Sequence, residues 1–338
     1  MDGLFVTRAP NVRYLTGFTG SNGQLLFSPG DSVFLTDGRY TEQAGREVPD
    51  LECRTYSADL HAAFADACRA LGLERVGFES PGVSFRTYER LRQVERVRLV
   101  PIEDEVERLR WVKDDDETAL LERAQGLTDE AFDDVLRKLG EGVREREVAL
   151  ELEWSMRQAG ADGISFDPVV AFGENAAEPH HRGGDRDLRR GDVVVLDFGA
   201  LVGGYHADMT RTVAFGEPPA SIREIHDVVR AAQEVGREAV RAGALCREPD
   251  RRARDVITQA GFGDRFSHSL GHGVGLEIHE GPTLRATSDD VLLPGTVVTV
   301  EPGVYVPGLG GVRIEDMVVT TEDGCRPLPA SPRDLVVV

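Results

Sequence analysis

The amino-acid sequence predicts an α/β N-terminal domain over residues 1–106 and an α+β domain over residues 107–338. Three observations support this prediction. Short apolar segments alternate with amphipathic ones in the first hundred or so residues, which is typical of a small layered α/β domain. A charged segment, IEDEVERLRWVKDDDE, then leads into long helical stretches. Finally, the rest of the chain contains two matching strand–turn–strand segments, which indicate an internal duplication.

The first domain is predicted from strands bounded by turn residues and from helices with apolar residues at helical spacing. The predicted strands are residues 4–7, 24–28, 32–36 and 97–100, and the predicted helices are residues 61–72 and 87–94. The glycine motifs that bind nucleotide phosphates, GxGxxG and GxxxxGK[ST], follow none of these strands. The sequence therefore gives no indication of a nucleotide site in this domain.

The second domain is predicted to begin with two helices and to continue as mixed strands and helices. Apolar residues keep helical spacing over residues 120–139, Gly140 ends that helix, and a second helix covers residues 145–159. The remaining predicted elements are strands at 192–198, 210–215, 296–301 and 312–320 and helices at 220–242 and 249–260. Pro- and Gly-rich loops concentrate between residues 160 and 310, where we expect the functional residues.

Composition argues against several classes of function. The formal net charge is −20, from 39 basic and 59 acidic side chains, which disfavours binding to nucleic acid or to an anionic membrane. No apolar segment approaches the roughly 20 residues of a membrane span, and the N-terminal residues lack the features of a secretory signal. The four cysteines are scattered and form no CxxC pair, as expected for reduced thiols. We therefore expect a cytoplasmic protein.

Two Val-rich strands each run directly into an acid. GDVVVLDFG places Asp197 at the end of its strand, and GTVVTVEPG places Glu301 at the matching position. Each strand is followed by a glycine-rich turn and a second acid, Asp208 in the first copy and Glu315 in the second. Four acids in matched positions beside buried strands predict two related hairpins that share one site.

Four buried carboxylates cannot converge without strong mutual repulsion, so a cation is expected among them. A divalent metal suits oxygen ligands, and an excess of carboxylates over nitrogen ligands suits two ions that share bridging acids. The sequence therefore predicts a carboxylate-rich dinuclear metal centre.

Nitrogen ligands are expected from two histidine-containing motifs. HSLGHGVGLEIHEG contributes His268, His272 and His279, and EPHHRG contributes His180 and His181. The glycines between the first three histidines oppose a helix and favour closely packed backbone. The Glu of HExxH is missing, which excludes a zincin.

These motifs resemble those of the pita-bread metallopeptidases. LDFG…HADMTRT, HSLGHGVGLEIHE, TVEPGVY and VRIEDM are similar to the catalytic domain of that family, and NVRYLTGFTGSNG and TDGRYTEQA to its N-terminal domain. Within the family the resemblance is strongest to the Xaa-Pro peptidases, aminopeptidase P and prolidase. It covers nearly the whole chain and implies a pita-bread catalytic domain with pseudo-two-fold duplication.

The resemblance also implies a set of metal ligands. By analogy with the family, Asp197 binds one metal, Asp208 and Glu315 bridge both, and His272 and Glu301 bind the other. The residues alone point to the four acids, whereas the family distinguishes His272 from its neighbours and assigns the bridging roles. Mn²⁺ is the expected metal, and Zn²⁺ or Co²⁺ would also fit.

Further catalytic roles follow from the same resemblance. The expected reaction is hydrolysis of an N-terminal Xaa-Pro bond by a hydroxide bridging the two metals, with Glu301 transferring its proton to the leaving group. His180 is expected to steady the substrate or the leaving nitrogen. His268 and His279 are expected to line the proline pocket and polarise the scissile carbonyl. Arg313 matches an arginine that supports the metal ligands.

Several alternatives remain open at this stage. The TDGRY segment and the compact length favour aminopeptidase P, acting on longer proline-containing peptides, over prolidase, which is restricted to dipeptides. Creatinase-like enzymes and binding modules of this fold have lost metal ligands, whereas all five ligand positions are intact in this sequence, which argues against both. Methionine aminopeptidase normally lacks the N-terminal domain that is predicted here, which argues against that enzyme. His181 and His206 are expected to be structural or peripheral, and a homodimer is the expected assembly.

Overall fold

The computed structural model describes residues 1–57 and 59–338, which divide into two units, Met1–Arg110 and Trp111–Val338. The elements of the N-terminal unit are, in chain order, β1 (Gly3–Val6), α1 (Ala9–Thr16), β2 (Gly23–Phe27), β3 (Ser32–Asp37), α2 (Thr41–Glu47), β4 (Glu52–Tyr56), α3 (Leu60–Leu71), β5 (Arg75–Glu79), α4 (Phe85–Leu91), β6 (Arg98–Ile102) and α5 (Glu105–Arg110). The domain limits 1–106 and 107–338 stay a prediction.

The described strands of the N-terminal unit form one mixed sheet in the order β4-β3-β2-β1-β5-β6. Successive residues of a strand face opposite sides of a sheet, and this alternation builds two cores. Leu26 packs in a cluster with Phe64 of α3, whereas its neighbour Leu25 packs in a second cluster with Val12 of α1. Helices therefore cover both faces, and the predicted α/β class is confirmed.

The elements of the C-terminal unit are α6 (Asp115–Leu136), α7 (Glu145–Gln158), β7 (Gly163–Ile164), β8 (Val169–Phe172), β9 (Asp192–Phe198), β10 (Ala200–Val202), β11 (Tyr205–His206), β12 (Met209–Phe215), α8 (Ala220–Glu238), α9 (Arg247–Gln259), β13 (Gly271–Gly273), β14 (Glu280–Leu284), β15 (Val297–Val300), β16 (Gly303–Val306), β17 (Gly310–Arg313), β18 (Asp316–Thr320), β19 (Cys325–Pro327) and β20 (Val336–Val337). A capping box, in which Asp114 and Glu117 exchange hydrogen bonds, starts α6 five residues before the predicted position.

The predicted duplication is visible in the strand pairing. β9 pairs antiparallel with β12, and β15 pairs antiparallel with β18. Between the two long strands of each pair the chain forms a short inner hairpin, β10–β11 in the first copy and β16–β17 in the second. The two outer pairs lie in separate sheets, ordered β20-β12-β9-β8 and β14-β13-β15-β18-β19.

One predicted strand is interrupted. Residues 312–320 were expected to be continuous, but β17 ends at Arg313 and β18 begins at Asp316. The intervening Glu315 turns its backbone N–H to the carbonyl of Thr210 in the other hairpin, at 3.1 Å. This hydrogen bond at the break therefore links the two halves of the duplication.

No helix among the described residues is long and apolar enough to cross a membrane.

Candidate metal centre

The two hairpins bring four acids together. Asp197 lies near the end of β9 and Asp208 directly before β12, while Glu301 directly follows β15 and Glu315 directly precedes β18. The Thr210 hydroxyl donates to Glu315 Oε2 at 2.7 Å, which ties a side chain of one hairpin to an acid of the other. The predicted convergence of residues separated by a hundred positions is therefore seen in the structure.

His272 is the histidine that joins the acids. Its Nε2 lies 3.6 Å from Asp208 Oδ2 and 3.4 Å from Glu301 Oε1. One ligand atom each from Asp208, His272 and Glu315 lie within 4.8 Å of one another. His272 Nδ1 donates to the carbonyl of Gly273 at 3.1 Å, and burial lowers the pKa of His272 to about 4. The ring is therefore neutral at pH 7, with the Nε2 lone pair available to a metal.

Glycine on both sides of His272 allows the backbone to pack this closely. A Cβ at Gly271 would lie 1.9 Å from the Thr299 carbonyl oxygen, and one at Gly273 would lie 2.1 Å from the Gly281 carbonyl oxygen. The same approach lets Thr299 Oγ1 accept from the His272 N–H at 3.1 Å. A side chain at either position would therefore force the backbone on one side of His272 to shift.

Burial raises the pKa of all four acids, and repulsion between carboxylates adds to this effect for Asp208, Glu301 and Glu315. The pKa of Glu315 rises to about 8, first because of burial and then because of Asp197. Burial and the charge of Glu315 raise the pKa values of Asp208 and Glu301 well above their ordinary range. Burial also raises the pKa of Asp197, opposed by Arg313. These carboxylates are costly as anions unless a cation accompanies them.

The donor set fits a divalent cation. Asp197 Oδ1 is buried and has no hydrogen-bond partner among the described residues. Buried carboxylate oxygens are rarely left unpartnered, because desolvation is costly. Carboxylate oxygens together with one neutral imidazole nitrogen are ligands that divalent metal ions such as Mn²⁺ or Zn²⁺ accept.

Arg313 fixes the other oxygen of Asp197. Its Nη2 donates to Asp197 Oδ2, its Nε to the Thr210 hydroxyl at 2.9 Å, and its Nη1 to the Pro179 carbonyl at 3.1 Å and Tyr305 Oη at 3.0 Å. The guanidinium thus links both hairpins to the loop that contains His180. The predicted supporting role of Arg313 is consistent with these contacts and stays a prediction.

The structure places Tyr305 in the site, which the sequence reasoning missed. His268 Nδ1 donates to the Ser269 carbonyl at 2.8 Å, so Nε2 is an acceptor, and the Tyr305 hydroxyl lies 3.0 Å from it. Burial, followed by the charge of Arg313, lowers the pKa of His268 to about 4. A relay of hydrogen bonds therefore runs from Arg313 through Tyr305 to His268. The sequence indicated Tyr305 only as an aromatic residue four positions after Glu301.

The other predicted histidines lie at the edge of the acids. The His279 ring packs against His272 with 4.4 Å between ring centroids, and burial lowers the pKa of His279. His180 is exposed, on the loop whose Pro179 carbonyl is held by Arg313. The predicted roles of His180 and His279 toward a substrate remain predictions.

The two histidines expected to be structural have buried partners. His181 Nε2 lies 2.9 Å from the buried carboxylate of Glu145. His206 Nδ1 lies 2.9 Å from the Ser165 hydroxyl. Neither histidine bonds to Asp197, Asp208, Glu301 or Glu315 in the hydrogen bonds of the described residues. Asp208, two residues after His206, is the residue of this segment that belongs to the acid cluster.

The fold and the centre together define a class of protein. A duplicated pair of acid hairpins around a buried cluster of carboxylates and one neutral imidazole is the architecture of a pita-bread metallopeptidase.

The chain belongs to metallopeptidase family M24, whose model matches residues 119–322. Residues 1–112 match the creatinase/prolidase N-terminal domain. The family resemblance and the fold class expected from the sequence are confirmed.

Similar proteins cover the whole chain. The Xaa-Pro dipeptidase of Pyrococcus furiosus is 36% identical over 338 residues, 99% of this chain and 95% of that protein. The solved structure of an Xaa-Pro dipeptidase from Bacillus anthracis has a TM-score of 0.97 and 41% identity, over 100% of this chain and 95% of that one. The structure of an X-Pro aminopeptidase from Thermotoga maritima has a TM-score of 0.93 and 37% identity, over 100% and 98%.

Proposed function

We propose that this protein is a metal-dependent Xaa-Pro dipeptidase, that is, a prolidase. The observation that carries the proposal is the buried group of Asp208, His272 and Glu315 on duplicated hairpins, in a chain similar along its whole length to proteins named Xaa-Pro dipeptidase. The sequence alone favoured aminopeptidase P. The similar proteins support the dipeptidase better, so aminopeptidase P becomes the alternative.

The proposed metal ligands are Asp197, Asp208, His272, Glu301 and Glu315, which together hold two divalent ions with Mn²⁺ as the expected metal. The orphaned Oδ1 of Asp197 and the distances around His272 support this set. Divalent ions held there would lower the pKa of coordinated water and so supply a nucleophile at neutral pH.

The residues of the chain then supply proton transfer and orientation. Glu301 accepts the proton of the attacking water on its carboxylate and delivers it to the prolyl nitrogen as the C–N bond breaks. Neutral His279 donates a hydrogen bond to the scissile carbonyl oxygen as negative charge develops there. His268 and Tyr305 line the proline side of the pocket, and His180 steadies the substrate from its exposed loop. Arg313 keeps Asp197 in place.

Substrate length distinguishes the proposal from its alternative. Steady-state kinetics of the Mn²⁺-loaded protein would be compared on an Xaa-Pro dipeptide, the same sequence extended by one residue, and an Xaa-Ala dipeptide as control. We expect the highest kcat/KM on the Xaa-Pro dipeptide. A higher value on the tripeptide would make the protein an aminopeptidase, and no cleavage of either Xaa-Pro peptide would overturn both assignments.

The metal assignment has its own test. Asp208→Ala removes one of the proposed metal ligands, so both bound metal and activity should be lost. Metal content after reconstitution would be measured by mass spectrometry, with exposed Asp323→Ala as the matched control. Asp208→Ala protein that retains wild-type metal content would contradict the ligand set. A homodimer and a cytoplasmic location remain predictions, and light scattering would test the first.

A further inference from the structure

A buried ion pair lies directly beside His279 and outside the acid cluster. Lys113 Nζ donates to Glu280 Oε1 at 2.8 Å, and the two side chains are only 1% and 2% exposed. Burying two charges costs desolvation energy that their attraction hardly repays, so a pair of apolar residues would stabilise the fold about as well. The position of Glu280, immediately after His279, suggests a different reason for the pair.

Glu280 organises the turn that presents His279. Its carboxylate lies against Gly275, where a Cβ would be 2.5 Å from Oε1. The same carboxylate accepts from the Glu277 N–H at 3.4 Å, and Gly275 donates to the Glu277 carbonyl at 3.1 Å. Glu280 thereby closes residues 275–280 into a turn around one carboxylate, and the His279 ring projects from this turn onto His272.

The segment that carries Lys113 contacts this turn at a second point. A Cβ at Gly281 would lie 2.4 Å from the Trp111 indole nitrogen, so the indole packs directly on the backbone after Glu280. Lys113 itself is held by its backbone N–H, which donates to the Gly295 carbonyl at 3.0 Å. The Lys113 ammonium therefore projects from a backbone segment that is held in place by these contacts.

A third contact fixes the other side of the turn. Glu117, in the first turn of α6, accepts from the Tyr205 hydroxyl at 2.8 Å. The next residue, His206, donates its backbone N–H to the Gly275 carbonyl at 3.0 Å. Residues 111–117 thus hold the His279 turn both directly, through Lys113, and indirectly, through Tyr205.

We infer that Lys113 and Glu280 are positioning residues that set the location of the His279 imidazole over the acid cluster. The inference rests on the proposed function for the role of His279 in catalysis. Its structural part, that the ion pair sets the position of the ring, can be tested without activity.

The test compares Lys113→Met, Glu280→Gln and the double variant with Lys138→Met as control, since Lys138 forms an exposed ion pair with Glu151. We expect Lys113→Met to lower kcat on an Xaa-Pro dipeptide by about 10- to 100-fold, the loss typical of a misplaced catalytic group, with KM nearly unchanged. Metal content should equal that of the wild type. Glu280→Gln, which keeps an oxygen acceptor for Lys113, should retain more activity than Lys113→Met.

The double variant separates positioning from stability. In the double variant neither charge is left buried without the other, so its melting temperature should exceed that of Lys113→Met. Its kcat should nevertheless stay low, because the ion pair that positions the His279 end of the turn is absent. A double variant with wild-type kcat would overturn the inference, even if Lys113→Met alone failed to fold.

A readout independent of activity completes the experiment. In zinc-loaded protein with ¹⁵N-labelled histidine, the His279 ring resonances should shift in the Lys113→Met and double variants and stay in place in Lys138→Met. Unchanged His279 resonances in a folded variant would overturn the inference. If the wild-type protein cleaves no Xaa-Pro peptide, the proposed function fails, and these resonances still decide whether the ion pair positions the ring.

Discussion

Raising the pH of the metal-free protein from about 7 to about 9 should destabilise it, because the acid cluster loses protons there. Glu315 has a pKa of about 8 in the folded chain, against an ordinary 4.5. The folded state therefore holds a proton in this range that the unfolded state has already released. Stability falls with pH wherever the folded state binds more protons, so the sign is a loss on raising the pH.

The pH window follows from the histidines as well as from the acids. Burial lowers the pKa values of His268 and His272 to about 4, so below their ordinary 6.5 the unfolded chain binds the extra protons. That contribution favours folding as the pH rises, and most of it is present by about pH 7. Above pH 7 these two groups oppose the titration of the acids only weakly.

The size of the effect can be worked from Glu315 alone. A group with a folded pKa of about 8 loses roughly 1.4 kcal/mol of stabilisation between pH 7 and pH 9. Asp208 and Glu301, whose pKa values are raised well above their ordinary range, act in the same direction. For a unit of this size, 1 kcal/mol corresponds to about 2–4 °C in melting temperature, so Glu315 contributes roughly 3–6 °C.

The assay is thermal unfolding of chelator-treated and Mn²⁺-loaded protein at both pH values. The change in melting temperature of the loaded protein measures the effect of all other titrating groups, because a bound cation keeps the acids ionised in the folded state. We expect the metal-free protein to lose at least about 3 °C more than the loaded protein. Glu315→Gln should reduce this difference, whereas Glu322→Gln, at an exposed position, should leave it unchanged. Equal losses in metal-free and loaded protein would show that the acids do not repel one another as the structure indicates.

Two further predictions concern single residues of the centre. His279→Ala should lower kcat by about 10²- to 10³-fold with little change in KM, which is the loss typical of one oxyanion donor, whereas His272→Ala should lose bound metal as well as activity. Kinetics and metal analysis of both variants test this difference, and the reverse pattern would mean that the roles of the two histidines are exchanged. Gly271→Ala should destabilise the protein by about 1–3 kcal/mol, because the new methyl group meets the Thr299 carbonyl, and Gly324→Ala, where no described atom lies within 4 Å, is the control in chemical denaturation.

The sequence was sufficient for features that depend on local order. Helical spacing and glycine stops predict most of the long helices, because amphipathic periodicity reflects burial along one element. Matched acids at the ends of Val-rich strands predict the duplicated hairpins, since a buried carboxylate needs a partner wherever its strand lies. The start of α6 was misplaced by five residues only because the capping box of Asp114 and Glu117 was overlooked.

The choice among histidines lay beyond local order. His268 and His272 are four residues apart in one glycine-rich motif, and the chain alone does not distinguish a metal ligand from a pocket residue. In the folded protein a bulge in β13 follows His272, and the strand pairing places its Nε2 against Asp208 and Glu301. His268 faces Tyr305 instead.

Contacts between distant segments needed the tertiary structure most. Arg313 bonds Asp197 across 116 positions, and Lys113 bonds Glu280 across 167. Such pairs depend on which strands become neighbours and on which polar atoms burial leaves without water. No pattern along the chain encodes either condition, because both arise only when separate elements pack and each buried charge must find its partner among them.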